Sequence, residues 1–136
     1  MLIIAYFFKF IFSFKAMQKH YHGFSKKILN KYNIFNKITI AQYDKTLRIK
    51  LNIGDHIDSQ IFFLGYYDKR GISFIKNLLK KGDTFIDIGA NIGCYSLIAS
   101  KEVQETGKVI CFEAINDTYK KLNYNIELNQ LNNIST

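Results

Sequence analysis

Three features of the sequence have the residue types and spacing needed to bind a small molecule. They are Asp87, the segment Gly89-Ala90-Asn91-Ile92-Gly93, and Glu113. Gly89 and Gly93 lack a Cβ and tolerate positive φ, and Asn91 is among the few other residues that enter the left-handed region at low cost. A loop of this composition allows a ligand to approach the backbone closely. The two carboxylates could accept hydrogen bonds or pair with a cation.

The residues around this loop predict the elements that position it. Thr84 to Ile88 is a β-branched and aromatic run typical of a buried strand. After Gly93 the apolar residues recur at helical spacing, which predicts a helix over residues 93–105. Lys108 to Phe112 reads as a second strand, so strand, helix and strand form a β-α-β unit with parallel strands and a right-handed crossover.

In a parallel α/β sheet, ligands bind outside the carboxyl ends of the strands. Asp87, the glycine loop and Glu113 should therefore converge at one crevice. Glu113 follows Gly89 by 24 positions and is suited to accept hydrogen bonds from both hydroxyls of a ribose. The loop lacks the Gly-x-Gly-x-x-Gly pattern, and Asp87 would repel a pyrophosphate but suits a cationic amine. These features favour S-adenosylmethionine over NAD as the cofactor.

The run from Gly82 to Gly93, followed by Tyr95-Ser96-Leu97 and by Val109-Ile110-Cys111-Phe112-Glu113, resembles the FkbM family of S-adenosylmethionine-dependent methyltransferases. The resemblance covers about residues 46–136, although Ala114 stands where that family commonly has proline. It implies that Asp87, Gly89, Asn91 and Gly93 hold the methionine end of the cofactor and Glu113 the ribose, and we add Ala90 to the expected cofactor-binding residues. It also implies that the methyl acceptor is a hydroxyl, often on a sugar.

We therefore expect an α/β protein with a Rossmann-like methyltransferase fold whose parallel sheet is incomplete at the C-terminus. Residues 1–35 would form an apolar and basic helical segment, residues 36–81 a β-hairpin and helical lead-in, and residues 82–136 the first half of the cofactor-binding domain. The third strand should begin near Thr136. In that arrangement the second strand would be an unprotected sheet edge.

Met1 to Phe14 is apolar but too short for a membrane span, and it lacks the charge order and cleavage site of a signal peptide. Two interpretations remain open. The segment could dock as a helix on the rest of the protein, which we favour, or it could lie in a membrane interface beside Lys15, Lys19, Lys26 and Lys27. The second interpretation makes residues 1–27 a peripheral membrane contact.

Patterning predicts several further elements. We expect a helix from Lys15 to about Tyr32 with His20 and His22 on its surface, and a hairpin of two strands. A short helix capped by Asp58 or Ser59 should follow, then one whose buried side carries Ile72, Phe74, Ile75, Leu78 and Leu79. The two strands of the hairpin should span residues 38–42 and 46–52. The short helix should end at Leu64, and the next helix should span residues 71–80. The last helix should run from Thr118 to Leu128 and be capped by Asn116 or Asp117.

Charge and cysteine usage limit the possible partners. Residues 1–81 carry 15 Lys and Arg against 4 Asp and Glu, whereas residues 82–136 carry 4 against 7. No nucleic-acid motif accompanies the basic half, so we interpret it as a solvated surface. Cys94 and Cys111 have neither disulfide nor zinc spacing, and no metal site is predicted. Reduced thiols fit a cytoplasmic protein.

Simpler interpretations exist for several residues. Gly89 and Gly93 could be ordinary strand-to-helix turn residues, and Glu113 a solvated carboxylate at a strand end. Cys94 near a helix start could have a lowered thiol pKa, but packing is the expectation we favour. His56 and Asp68 could line a ligand entrance or simply serve as surface or capping residues.

Two classes of function follow. The chain could be the cofactor-binding part of a methyltransferase acting on a saccharide or another small-molecule hydroxyl, with no catalytic residue identifiable. It could instead be a non-catalytic remnant, an interaction module that binds a membrane or an acidic polymer.

Overall fold

The computed structural model of the protein describes residues 2–25, 27 and 36–136. Contacts divide the chain into two compact units, both of which are discontinuous in sequence. The first comprises Met1–Tyr43 and Lys50–Tyr67, and the second comprises Asp44–Ile49 and Asp68–Thr136. The elements are numbered below in chain order.

Three helices begin the first unit: α1 (Leu2–Ser13), α2 (Lys15–Gln18) and α3 (Tyr21–Phe24). The predicted single helix from Lys15 to Tyr32 is therefore wrong over residues 15–24. Two short helices occupy this range, and the turn residues 19 and 20 separate them. Its remainder at residues 28–32 lies outside the described residues. His20 and His22 are exposed, as predicted.

The core of the first unit is aromatic. The Phe12 ring lies 5.6 Å from that of Tyr21, 5.1 Å from Phe24 and 6.1 Å from Phe63. Ring pairs at these separations add about 0.5–1.5 kcal/mol to their area burial. The docking of the N-terminal helix, which the sequence favoured, is thus confirmed, since α1 packs on a later helix of its own unit through Ala5 and Phe12.

The predicted hairpin is confirmed as β1 (Ile38–Tyr43) and β2 (Leu47–Asn52), which form a two-stranded sheet. Burial alternates along β2, as a half-exposed strand requires.

The next helix, α4 (His56–Leu64), begins earlier than predicted, because Asp55 is its N-cap residue. Asp58 and Ser59 are therefore buried inside the helix rather than capping it. Asp58 instead accepts a hydrogen bond from the backbone N–H of Asn52 at 2.7 Å.

Helix α5 (Lys69–Leu78) belongs to the second unit and begins after Asp68, whose side chain accepts from the N–H of Gly71. Its predicted buried side is only partly correct. Ile75 is buried, whereas Phe74 is 65% exposed and Leu78 is 57% exposed. Helical periodicity identifies an apolar stripe without showing what covers it.

The central β-α-β unit has the predicted parallel strands. Strands β3 (Thr84–Ile88) and β4 (Lys108–Phe112) have the predicted bounds and pair in parallel, with α6 (Cys94–Val103) between them in sequence.

The last helix, α7 (Asn116–Leu128), starts two residues before the predicted Thr118. Asn116 and Asp117 lie in its first turn, and Ile115 takes the N-cap position without a side-chain cap. Strand β5 (Ile134–Ser135) follows and pairs in parallel with β4. The sheet order is β3-β4-β5. The prediction that β4 is a sheet edge is therefore wrong.

Candidate functional site

The register of the second unit brings the two candidate segments to one edge of the sheet. Ile88, the last residue of β3, pairs with Phe112, the last residue of β4. Gly89 and Glu113 are the next residues along their chains, so both leave the sheet side by side. This is the carboxyl edge, where ligands bind in parallel α/β sheets.

The backbone of the glycine loop is fixed by hydrogen bonds to the end of β4. The carbonyl of Phe112 accepts from the N–H groups of Gly89 at 2.8 Å and Ala90 at 3.0 Å. Three residues of the loop have positive φ: 79° at Gly89, 51° at Asn91 and 95° at Gly93. The residue types that the sequence suggested for left-handed conformations thus occupy such conformations, and the loop enters α6 immediately after Gly93.

Glu113 joins the loop to the segment that follows β4. Its Oε2 accepts a hydrogen bond from the N–H of Asn91 at 2.9 Å, and its Oε1 accepts from the N–H of Ile115 at 2.9 Å. A carboxylate has about four lone-pair sites, so each oxygen retains capacity for another donor. Glu113 is half-buried, and it is therefore more than a solvated strand-end carboxylate.

Asp87 lies underneath the loop. It is 8% exposed, and its Oδ2 accepts from the hydroxyl of Ser96 on α6 at 2.5 Å. The Ser96 oxygen in turn accepts from the thiol of Cys111, 3.1 Å away. Burial, together with the nearby charge of Asp87, raises the pKa of Cys111, so its thiol stays protonated at neutral pH. Asp87 could reach a cationic ligand only over the small exposed part of its carboxylate.

Helix α7 supports the loop from a second side. Asn125 is fully buried, and its Nδ2 donates to the carbonyl of Ile92 at 2.9 Å. Leu122, one turn earlier, packs so closely that a Cβ added to Gly93 would lie 2.9 Å from its Cδ1. Sequence reasoning missed this support. The signal was the recurrence of asparagine at every fourth position, at Asn125, Asn129 and Asn133.

A third contact ties the start of α6 to α5. The hydroxyl of Tyr95 donates to Oδ2 of Asp68 at 2.6 Å. This hydrogen bond and the N–H of Gly71 lower the pKa of Asp68. A Cβ on Gly71 would meet the Asp68 carboxylate and, at 2.8 Å, the Tyr95 oxygen, so a larger residue there would displace these two side chains. The capping interpretation of Asp68 is confirmed.

The structure thus brings Gly89 and Ala90, which donate to the Phe112 carbonyl, next to Asn91, which donates to Glu113. Gly93 closes the loop, and Asp87 lies beneath it. Cys94 is buried and packs, as favoured. His56 belongs to the first unit. Within the described ranges, no group of His, Cys, Asp and Glu side chains has an arrangement that could hold a metal ion.

A depression of about 1070 Å³ lies at the opposite edge of the sheet. Its walls are the end of α6, the turn before β4 and the turn before β5. It is therefore separate from the carboxyl edge, and cavity size alone does not identify the candidate site.

No protein-family model matches the chain, and no curated protein does. Solved structures match it. M. jannaschii TYW2 is 20% identical with a TM-score of 0.56, and the alignment covers 72% of this chain and 41% of that one. Trm5b from Pyrococcus abyssi is 20% identical with a TM-score of 0.56, over 72% of this chain and 27% of that one. PH0793 from Pyrococcus horikoshii is 17% identical with a TM-score of 0.57, and the alignment covers 88% of this chain and 48% of that one.

The chain spans less than half the length of each of these three structures. Identities at this level establish a common architecture and leave the chemistry to the residues of the site. The chain therefore has the Rossmann-like α/β fold of these proteins.

Proposed function

We propose that the carboxyl edge of the β3–β4 sheet binds S-adenosylmethionine and that the chain is the cofactor-binding part of a methyltransferase. The observation that carries this proposal is the hydrogen bond between the N–H of Asn91 and the carboxylate of Glu113. It fixes a glycine loop and a strand-end acid against each other in a protein of this fold. M. jannaschii TYW2, which shares the fold, was solved in complex with AdoMet, and P. horikoshii TYW2 with MeSAdo.

The residues at this edge fit the parts of such a cofactor unequally. A Cβ at Gly89 would meet nothing within 4 Å, so the backbone there is open to a ligand. Both oxygens of Glu113 are held in place and can accept further hydrogen bonds from ribose hydroxyls. Exposed apolar side chains of Ile88 and Ile115 flank these residues and suit an adenine ring. Asp87 fits the methionine ammonium less directly, because Ser96 already occupies one of its oxygens.

The cofactor, when bound, supplies an activated methyl group on a sulfonium. The chain's own contribution is to orient that group, since displacement at the methyl carbon requires mainly alignment. A base is required only if the acceptor must lose a proton. We propose a hydroxyl acceptor, on a sugar or related small molecule, from the resemblance to the FkbM family. The buried thiols of Cys94 and Cys111 support a reducing, cytoplasmic location.

Calorimetry with S-adenosylhomocysteine tests the binding step. Hydrogen bonds to charged groups contribute about 1.5–3 kcal/mol, so Glu113→Gln should weaken binding roughly tenfold to a hundredfold. Glu127→Gln is the matched control, because Glu127 is an exposed carboxylate on α7 in the same unit. Circular dichroism of both variants verifies that the fold is retained.

Absence of binding at millimolar S-adenosylhomocysteine would contradict the proposal. Tighter binding of NADH than of S-adenosylhomocysteine would also overturn it, because the loop would then accept a pyrophosphate.

The alternative function is a non-catalytic interaction module. Methyl transfer from labelled cofactor to a panel of saccharides separates the two. Transfer that depends on Glu113 supports the enzyme, whereas cofactor binding without transfer favours the module.

A further inference from the structure

Helix α1 has two apolar faces, and the described residues of its own unit cover only one of them. Ala5 and Phe12 are 1% and 3% exposed on the inner face. Large apolar side chains at intervals of four, three and four residues form the opposite side of the helix and its C-terminal end. We call these residues the outer stripe; they are Ile3, Phe7, Phe10 and Phe14, which are 84%, 60%, 63% and 54% exposed.

The outer stripe is a contiguous surface rather than a set of scattered residues. Positions separated by three or four residues are neighbours on a helix surface. The rings of Phe10 and Phe14 are in edge contact, with centroids 5.3 Å apart. Isolated exposed apolar residues need no explanation, but a contiguous apolar patch marks a site of interaction with a protein, ligand or membrane.

The charge around the stripe identifies the occupant. Residues 1–43 contain seven lysines and neither Asp nor Glu. Lys15 and Lys19 follow the stripe directly and are exposed. Lys9 differs, because its Nζ lies 4.6 Å from the centroid of the Phe62 ring. An apolar helix face beside basic residues is the pattern of helices that bind anionic lipid surfaces.

The dimensions of the helix restrict how it can meet a bilayer. Twelve residues at about 1.5 Å per residue give a length of about 18 Å, against a hydrocarbon core of about 30 Å. Among residues 2–25, 27 and 36–136, no helix has both the length and the apolarity needed to cross a membrane. The helix can therefore lie along the interface, with its stripe in the lipid and its inner face on the protein.

We propose that the outer stripe of α1 and the adjacent lysines bind the surface of a bilayer that contains anionic lipids. A second copy of the chain fits the stripe poorly, because residues 1–43 of either copy contain no Asp or Glu that could pair with the lysines of the other. A purely electrostatic ligand, such as an acidic polymer, would leave the apolar residues without a role. This inference does not depend on the cofactor.

Sedimentation of the full chain with phosphatidylcholine vesicles, with and without phosphatidylserine, tests the proposal. Phe7→Gln and Phe10→Gln should each reduce partitioning roughly tenfold, because each removes a ring from the lipid. Lys15→Gln and Lys19→Gln should each reduce it about fivefold, only on vesicles that contain phosphatidylserine. Added salt should weaken binding to those vesicles in the same way.

The matched control is Phe74→Gln on α5, which removes a phenylalanine of similar exposure, 65%, from the other unit. It should sediment with vesicles as the wild type does. Circular dichroism verifies that all variants retain the fold.

Three results would overturn the proposal. The wild type could remain in solution with both vesicle types, or Phe10→Gln could bind like the wild type, which would indicate an electrostatic ligand alone. Alternatively, sedimentation equilibrium could show a dimer that Phe10→Gln dissociates while vesicles have no effect on the wild type, which would assign the stripe to a second copy.

Discussion

A different kind of interaction stabilises the inside of each unit. Aromatic rings make the core of the first unit, where the Tyr21 hydroxyl and Ser59 share a buried hydrogen bond of 2.9 Å. In the second unit, carboxylates and amides hold the glycine loop, with Glu113 on one side and Asn125 on the other. Packing is non-directional, whereas hydrogen bonds require defined distances and angles. The hydrogen bonds of the second unit therefore fix backbone positions as a binding loop needs.

The largest effect should come from removing a ring in the first unit. Phe12→Ala deletes a side chain that is 3% exposed, and such substitutions cost about 3–5 kcal/mol of unfolding free energy. Phe10→Ala, on the same helix but 63% exposed, should change it by less than about 0.5 kcal/mol. Urea unfolding followed by circular dichroism measures both. Similar losses for the two variants would show that α1 does not contribute through its inner face.

The next largest effect should separate the two loop glycines. Gly93→Ala and Gly89→Ala both place a Cβ at positive φ, which costs about 1–2 kcal/mol. Gly93→Ala also forces a contact with Leu122, and overpacking adds about 1–3 kcal/mol. Thermal unfolding should therefore rank Gly93→Ala as the less stable variant. The reverse order would mean that α7 does not support the loop as described.

Loss of a polar partner should have an intermediate effect. Asn125→Ala leaves the buried carbonyl of Ile92 without its donor, at a cost of about 1–3 kcal/mol. Asn123→Ala is the control, because its amide hydrogen bonds with the Tyr119 carbonyl and the Thr136 hydroxyl are exposed. Urea unfolding compares the two. If they are equally stable, the polar support of the loop is weaker than the geometry indicates.

The smallest effect should be a pH dependence. The Tyr95 hydroxyl and the Gly71 N–H lower the pKa of Asp68 in the folded state. Its contribution to stability is thus complete above an unfolded pKa of about 3.9 and is lost as pH falls through the lower folded pKa. The urea midpoint of Asp68→Asn should be below that of the wild type at pH 7.

In sufficiently acid solution the two midpoints should converge, provided that the fold persists there. Asp117→Asn is the control, since Asp117 is an exposed partner of Lys120 at 3.4 Å. If the urea midpoints of the wild type and Asp68→Asn differ by the same amount at neutral and acid pH, the stabilising role assigned to the ionised Asp68 carboxylate would be contradicted.

The sequence predicted those features that depend on neighbouring residues. The bounds of β3 and β4 follow from two apolar runs, and the left-handed residues follow from a glycine loop between strand and helix. Other features depend on distant partners. Asn116 and Asp117 resemble caps but lie inside α7, and Phe74 lies on an apolar stripe that remains exposed. Ser96 likewise gives no local sign that its hydroxyl binds Asp87.

The side chain of Asn129 has a consequence for the order of folding. Its Oδ1 accepts from the N–H of Arg48 at 2.8 Å, and its Nδ2 donates to the carbonyl of Arg48 at 2.7 Å, across 81 residues of sequence. The backbone of Arg48 therefore reaches these two partners only after residue 129 has been synthesised, although β2 can pair with β1 earlier. Contacts of such long range slow folding because the loop must close first. During translation, the start of β2 can make these two hydrogen bonds only after α7 has been synthesised.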